Sequence, residues 1–271
     1  MERLELFGFP VTFNESDNML IPDAKGISYE QHSRKLSKGM FGLLADKNYC
    51  IEDDPYYDFY LSIGVDADRE KFKAVNLRYD STVIMQGCAG DEFKKTAGHF
   101  HCDVPGKGMS YPEYYQVIKG KALFVMQRVT DYRTEGSMVV EDAILAEVNA
   151  GESIVIPPNY GHCTVNISDE TMVFVNLVSC SSTNYYDSVK KSVGMCCYIK
   201  KGKNGGYFVE NNPSYQFTCE PKIVTPTDND ALGIHKGVPV YTQFLNAPDK
   251  FAYLNSPENN MSDYFAVFAA K

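Results

Sequence analysis

The sequence Thr96-Ala97-Gly98-His99-Phe100-His101 places two histidines one residue apart. Because side chains alternate between the two faces of an extended strand, His99 and His101 are expected to point to the same side. Glu113 and His162 follow later in the chain. Three imidazoles and one carboxylate form a donor set that suits Fe(II), Mn(II), Ni(II) or Zn(II). A His-x-His pair alone is more often structural, but the residues around His162 favour a metal site.

A second motif surrounds His162, with Gly151, Pro157 and Asn166 at fixed distances from it. The two motifs together resemble the two-part signature of the cupin superfamily, in which a His-x-His pair, a Glu and a Gly precede the Gly, Pro, His and Asn set. Asn159 stands where cupins usually have a glycine. Asparagine tolerates a positive φ, so the turn is expected to survive this change.

The first motif departs from the cupin pattern in two places. Phe93 replaces a glycine, and the gap between His101 and Glu113 is longer than usual. Because the gap is rich in proline and glycine, it is predicted to form a loop between two strands. Such a loop does not prevent Glu113 from returning to the metal.

Residues 96–101, 112–115 and 155–166 look like the corresponding segments of the cupin-type glucose-6-phosphate isomerases, which occur mainly in archaea and some bacteria. The similarity covers roughly residues 20–215. It implies metal-dependent interconversion of glucose 6-phosphate and fructose 6-phosphate. It also implies a homodimer and one divalent ion per chain, with Fe(II) expected before Mn, Ni or Zn. The implied metal ligands are His99, His101, Glu113 and His162.

The same resemblance implies roles for the other site residues. Glu113 is the implied catalytic base, and a metal-assisted hydride shift is the competing mechanism; the sequence does not choose between them. A family tyrosine falls on Val178, so one sugar contact is expected to be lost or replaced. The implied substrate-binding residues are Tyr57, Thr82, Thr96, Gly98, Tyr115 and Tyr186.

Many short strands with close Gly, Pro and Asn punctuation predict an all-β protein. The resemblance narrows this to the cupin double-stranded β-helix, a jelly-roll barrel. Residues 1–210 are expected to form the cupin isomerase domain with its N-terminal arm, including a strand over residues 93–101. A short N-terminal helix is predicted over residues 29–36, with Ser28 as its N-cap. Residues 211–271 are expected to form a C-terminal extension laid over the barrel or over a partner subunit.

The formal net charge of −9 disfavours nucleic acid and anionic membranes as partners. A phosphorylated ligand must therefore be held by local donors. The N-terminus lacks the pattern of a signal peptide, and apolar runs are too short to span a membrane, so we expect a cytoplasmic protein. The eight cysteines are accordingly expected to be free thiols.

Two other classes of function fit part of this pattern. Metal cupins that activate oxygen, such as dioxygenases, use a similar set of three histidines and one glutamate. They have no need of Thr82, Thr96 or the tyrosines. Non-catalytic sugar-binding or storage cupins are the third class, and storage forms commonly lack the metal ligands that are present here.

Overall fold

A computed structural model describes residues 1–49, 51–133 and 138–271 of the chain. The strands are β1 (Glu2–Arg3), β2 (Val11–Asn14), β3 (Met19–Pro22), β4 (Ile27–Ser28), β5 (Gln31–Leu36), β6 (Pro55–Leu61), β7 (Gly64–Val65), β8 (Leu77–Ile84), β9 (Cys88–Ala89), β10 (Glu92–Phe93), β11 (Phe100–His101), β12 (Glu113–Lys119), β13 (Lys121–Val129), β14 (Val139–Asn149), β15 (Ser153–Ile156), β16 (Gly161–Asn166), β17 (Met172–Ser179), β18 (Asn184–Tyr185), β19 (Cys197–Lys201), β20 (Tyr207–Asn211), β21 (Gln216–Phe217), β22 (Lys222–Pro226) and β23 (Phe268–Ala270). The α-helices are α1 (Arg69–Ala74), α2 (Asp187–Lys191), α3 (Val240–Asn246) and α4 (Asp263–Ala266). Short 3₁₀ helices span Glu5–Phe7, Ser37–Met40, Asp66–Asp68, Asp230–Leu232, Pro248–Leu254 and Pro257–Asn260.

Two main sheets face each other and enclose an apolar core. The first has the strand order β15-β12-β17-β8-β6-β5, and the second has the order β16-β13-β14-β22-β23. Val117, Ile154 and Phe174 of the first sheet pack against Phe124 and Ile144 of the second. This is the all-β jelly-roll barrel of the cupin type, so the predicted fold class is confirmed.

The main sheets are covered on their outer faces as well. On β13, Phe124 and Met126 belong to the core between the sheets, whereas Leu123 and Val125 belong to a second cluster behind the second sheet. Strands buried on both faces become nearly continuous apolar runs. This explains why the run from Ala122 to Met126 is apolar at every position.

Residues 211–271 pack on the barrel of their own chain. β22 pairs in parallel with β14, and β23 pairs with β22. Phe244 of α3 stacks on Phe72 with ring centroids 4.1 Å apart, and Tyr241 lies 4.6 Å from Phe9. Each such fully buried aromatic ring contributes about 1.5–3 kcal/mol relative to exposure. In the described residues, no helix is both long and apolar enough to cross a membrane.

The helix predicted over residues 29–36 is wrong. Gln31–Leu36 forms the edge strand β5, and Ser28, the expected N-cap, ends the strand β4. β5 pairs antiparallel with the aromatic strand β6 from Gln31 to Leu36. A polar edge strand paired on one side is stabilised by its neighbour, which local sequence does not reveal. This strand pairing places Lys35 opposite Tyr57.

Candidate metal centre and substrate cavity

Four side chains from different parts of the chain converge between the two main sheets. His101 lies in β11, Glu113 is the first residue of β12 and His162 lies in β16. His99 and His162 join their strands by two backbone hydrogen bonds, of 3.1 and 2.9 Å. Each residue offers one ligand atom, and these atoms lie within 4.8 Å of one another. The sequence motifs are therefore brought together in one place.

The ligand atoms of these four side chains lie close together, so that their lone pairs can bind one cation. Nε2 of His99 lies 3.1 Å from Nε2 of His101, which is 3.1 Å from Oε2 of Glu113. Nδ1 of His101 lies 2.8 Å from the carbonyl oxygen of Tyr111. Because a carbonyl only accepts hydrogen bonds, Nδ1 carries the proton and Nε2 offers its lone pair to the centre. This arrangement fits a divalent metal ion.

The charge states of the cluster suit the same interpretation. Burial lowers the pKa of His99 well below its ordinary value, and the neighbouring His162 and His101 lower it further, so its imidazole is neutral. Burial raises the pKa of Glu113, but hydrogen bonds with His101 and His162 outweigh burial and hold that pKa well below its ordinary value. Metal ligands must be deprotonated in this way.

Asn176 orients the carboxylate of Glu113. Its side-chain amide donates a 2.7 Å hydrogen bond to Oε1 of Glu113. Oε2 is left facing His101 and His162, at 3.1 and 3.3 Å from their Nε2 atoms. Hydrogen bonds of this kind, from a residue that does not itself bind the metal, fix the orientation of a metal ligand.

A cavity of about 420 Å³ opens on this cluster. His99, His101 and Glu113 line it, and Nε2 of His162 lies 3.3 Å from Oε2 of Glu113. The six predicted substrate-binding residues also line it: Tyr57, Thr82, Thr96, Gly98, Tyr115 and Tyr186. Residues predicted from separate motifs therefore share one space, and their individual roles stay predictions.

The register of the first sheet explains why the polar residues meet. β17 lies between β12 and β8, so Val178 stands opposite both Glu113 and Arg78. One row further along, Asn176 stands opposite Asp80 on β8 and Tyr115 on β12. Side chains two residues apart point to the same face, which here is the cavity face. The small Val178 side chain lines the cavity between Glu113 and Arg78.

Residues 96–98 present hydrogen-bond donors to the cavity. The backbone N–H of Thr164 donates a 3.0 Å bond to Oγ1 of Thr96, so the hydroxyl proton of Thr96 remains available to a ligand. Gly98 has a φ of 79°, which is unfavourable for other residues. A Cβ there would lie 2.8 Å from Sδ of Met195. Glycine is thus required for the close approach of this backbone.

The tyrosines surround the cavity at different depths. The hydroxyl of Tyr115 lies 2.9 Å from Nε2 of His162. Burial raises the pKa of Tyr57, and the nearby backbone N–H of Ala97 lowers that pKa by a smaller amount. The ring of Tyr186 lies 5.4 Å from the His99 ring at the more exposed side.

Several polar and charged residues of the cavity were not predicted from the sequence. Asn176 interrupts the largely apolar strand β17, and this contrast was the available signal, because a buried polar group needs a partner. Arg78 and Asp80 lie on β8, where polar and apolar residues are equally frequent. Lys35 carries no such signal, because its segment favours a helix in the sequence, whereas it forms the strand β5.

Comparisons with known proteins identify the family to which the chain belongs. The glucose-6-phosphate isomerase (GPI) family model matches residues 34–216. The glucose-6-phosphate isomerase of Thermococcus kodakarensis is 30% identical over 200 residues, covering 73% of this chain and 91% of the relative. That of Thermococcus litoralis is 26% identical over 221 residues, covering 80% and 100%. A putative glucose-6-phosphate isomerase 1 of Rhizobium meliloti is 26% identical over 194 residues, covering 72% and 81%. The resemblance seen in the sequence is confirmed.

Proposed function

We infer that this chain, which belongs to the glucose-6-phosphate isomerase family, interconverts glucose 6-phosphate and fructose 6-phosphate in the cavity described above. One observation carries the assignment of the site. The ligand atoms of His99, His101, Glu113 and His162 lie within 4.8 Å of one another, next to a cavity lined by hydroxyl donors. An aldose–ketose isomerase must hold both ends of an open-chain sugar phosphate, and this cavity offers both metal-ligating groups and hydroxyl groups.

The isomerisation moves one hydrogen between carbons 1 and 2 of the sugar. A divalent ion held by the three histidines and Glu113 would polarise the carbonyl group and offset developing negative charge. Glu113 is proposed as the base that accepts the proton, because its low pKa keeps it ionised at neutral pH. Asn176 holds the Glu113 carboxylate in position.

Asp80, the other carboxylate on the cavity wall of the described residues, is a poor alternative base. Its Oδ2 accepts a 2.7 Å bond from Nε of Arg78 and its Oδ1 accepts a 2.9 Å bond from the backbone N–H of Ser62. The side chain has no exposed surface. Glu113 is thus the carboxylate that remains for proton transfer.

The phosphate end of the substrate is assigned to Thr82, Thr96 and Gly98. Thr96 has a hydroxyl proton to donate, and the positive φ of Gly98 brings backbone close to the cavity. Main-chain and hydroxyl donors of this kind bind anions without a net charge. Tyr57, Tyr115 and Tyr186 are assigned to the sugar.

Several finer points belong to the same proposal. Fe(II) is the expected native metal, with Mn(II), Ni(II) or Zn(II) as alternatives for the same donor set. The enzyme would act as a cytoplasmic homodimer in glycolysis and gluconeogenesis. Residues 211–271 are regarded as an extension of the cupin domain in residues 1–210.

The test is a coupled assay on fructose 6-phosphate. The protein is stripped with a chelator and reconstituted separately with Fe(II), Mn(II), Ni(II) and Zn(II). We expect chelation to abolish isomerisation, added metal to restore it, and His162→Ala to lower both metal content and activity. His235→Ala, outside the cavity, is the matched control. Oxygen uptake with an aromatic diol, and no isomerisation with any metal, would favour a dioxygenase instead.

A further inference from the structure

Three cationic side chains line the substrate cavity, and two of them are neutralised by carboxylates. Arg34 donates to both oxygens of Asp58, at 2.7 and 2.8 Å. Arg78 donates a 2.7 Å bond to Asp80. Lys35 is the third cation, and it forms no ion pair within the described residues. The cavity wall therefore carries one positive charge without a carboxylate partner in that part of the chain.

The position of Lys35 directs this charge into the cavity. Lys35 stands opposite Tyr57 across β5 and β6, and its Nζ lies 5.6 Å from the Tyr57 ring centroid. Tyr57 is also close enough to Ala97 for the backbone N–H of Ala97 to lower the pKa of its hydroxyl. Ala97 lies between Thr96 and Gly98, so Lys35 is linked through one tyrosine to the donors assigned to phosphate.

A second lysine increases the positive potential near the cavity mouth. Lys190 lies with Nζ 5.8 Å from the ring centroid of Tyr186. Burial lowers the pKa of Lys35, and the charge of Lys190 lowers it further. A half-buried ammonium group repelled by another cation is stabilised when an anion binds beside it.

We propose that Lys35 is the cation that recognises the substrate phosphate and sets the preference for phosphorylated over unphosphorylated sugar. The inference rests on the proposed function, in which the ligand is a sugar phosphate. The chain has a net charge of −9, so its overall field repels a phosphate dianion. Neutral hydroxyls alone would have to overcome that repulsion, whereas Lys35 offsets it locally.

Three variants test the role of Lys35. Lys35→Met removes the charge and retains the length, Lys35→Arg keeps the charge, and Lys38→Met removes an exposed lysine outside the cavity. Calorimetry with inorganic phosphate and kinetics with fructose 6-phosphate are measured on metal-loaded enzyme. We expect Lys35→Met to raise the Kd for phosphate and the KM by about tenfold or more, because a charged hydrogen bond is lost. Its kcat and metal content should stay close to the parent values. Lys35→Arg should retain most of the affinity, and Lys38→Met all of it.

The salt dependence of binding provides a second readout. Phosphate affinity of the parent should fall with added salt, and this dependence should be weaker in Lys35→Met because one ionic contact is missing. If Lys35→Met binds phosphate and fructose 6-phosphate like the parent, the inference is overturned while the isomerase assignment stands. If the parent binds phosphate through Lys35 but isomerises nothing with any metal, the proposed function fails and the anion site remains.

Discussion

The side-chain amide of Asn176 donates a 2.7 Å hydrogen bond to Oε1 of Glu113, and both residues are buried. The two residues lie on the neighbouring strands β17 and β12, two residues apart in register. The bond fixes the orientation of a carboxylate that is assigned both to the metal and to proton transfer. Asn176 thereby acts on the site through Glu113 as a positioning residue.

Asn176→Ala should lower kcat/KM by about tenfold to a hundredfold, because the loss of a hydrogen bond that orients a metal ligand has an effect of this size. The lost bond frees the Glu113 carboxylate to rotate. The measurement is steady-state kinetics together with metal content, and exposed Asn204→Ala is the control. Parent kinetics with full metal content in Asn176→Ala would mean that β12 alone positions Glu113.

Glu113→Gln retains the size of the side chain and removes the proton acceptor. Turnover should fall by about a hundredfold or more, in line with the usual contribution of a general base. Exchange of the transferred hydrogen with deuterated solvent should be lost with it. Metal content must be measured in parallel, because Glu113 is also a proposed ligand. A metal-loaded variant that turns over normally would exclude the proton shuttle and favour the hydride shift.

Thr96→Val should raise the KM for fructose 6-phosphate by about tenfold to a hundredfold, because a hydrogen bond to a charged group is removed. Metal content should barely change. The change also leaves the backbone N–H of Thr164 without its side-chain partner, so some stability is lost. Thr96→Ser keeps the hydroxyl and should bind substrate like the parent. An unchanged KM in Thr96→Val and Thr82→Val would place the phosphate elsewhere.

The lowered pKa of Glu147 predicts that the free energy of unfolding decreases at acid pH. Burial raises its pKa, but bonds from Lys121 at 2.6 Å and from Lys271 and Tyr207 at 2.5 Å outweigh burial and lower the pKa to about 2. An unfolded glutamate titrates near about 4.3. The stabilisation is therefore present above that value and is lost as pH falls toward 2. Urea midpoints of the parent should drop through this window, and those of Glu147→Gln should drop less. Glu141→Gln, on the same strand but exposed, should follow the parent.

Local spacing allowed part of the site to be predicted. The turn at Asn159 was expected to tolerate a positive φ, and its φ is 68°. The His-x-His segment is less regular than the predicted strand, because Gly98 turns the chain and only Phe100–His101 pairs as β11. His99 still meets His162 through a backbone bridge. The motif thus indicated which residues meet, and the detailed path of the chain depends on the turn at Gly98.

Long-range pairing accounts for what could not be predicted. Asn176 meets Glu113 because β17 lies between β12 and β8, a neighbour relation that no local pattern encodes. Lys35 enters the cavity because β5 pairs with β6, although its own segment read as a helix. Strand propensity depends strongly on the neighbouring strand.

The parallel pairing of β22 with β14 has a consequence for association. β14 would otherwise be the last strand of the second sheet, with a row of unpaired N–H and C=O groups beside an apolar face. Exposed edges of this kind recruit strands from other molecules. The segment after residue 211 should therefore protect this edge against sheet-to-sheet aggregation, and its strand β22 lies three strands away from β16, which carries His162.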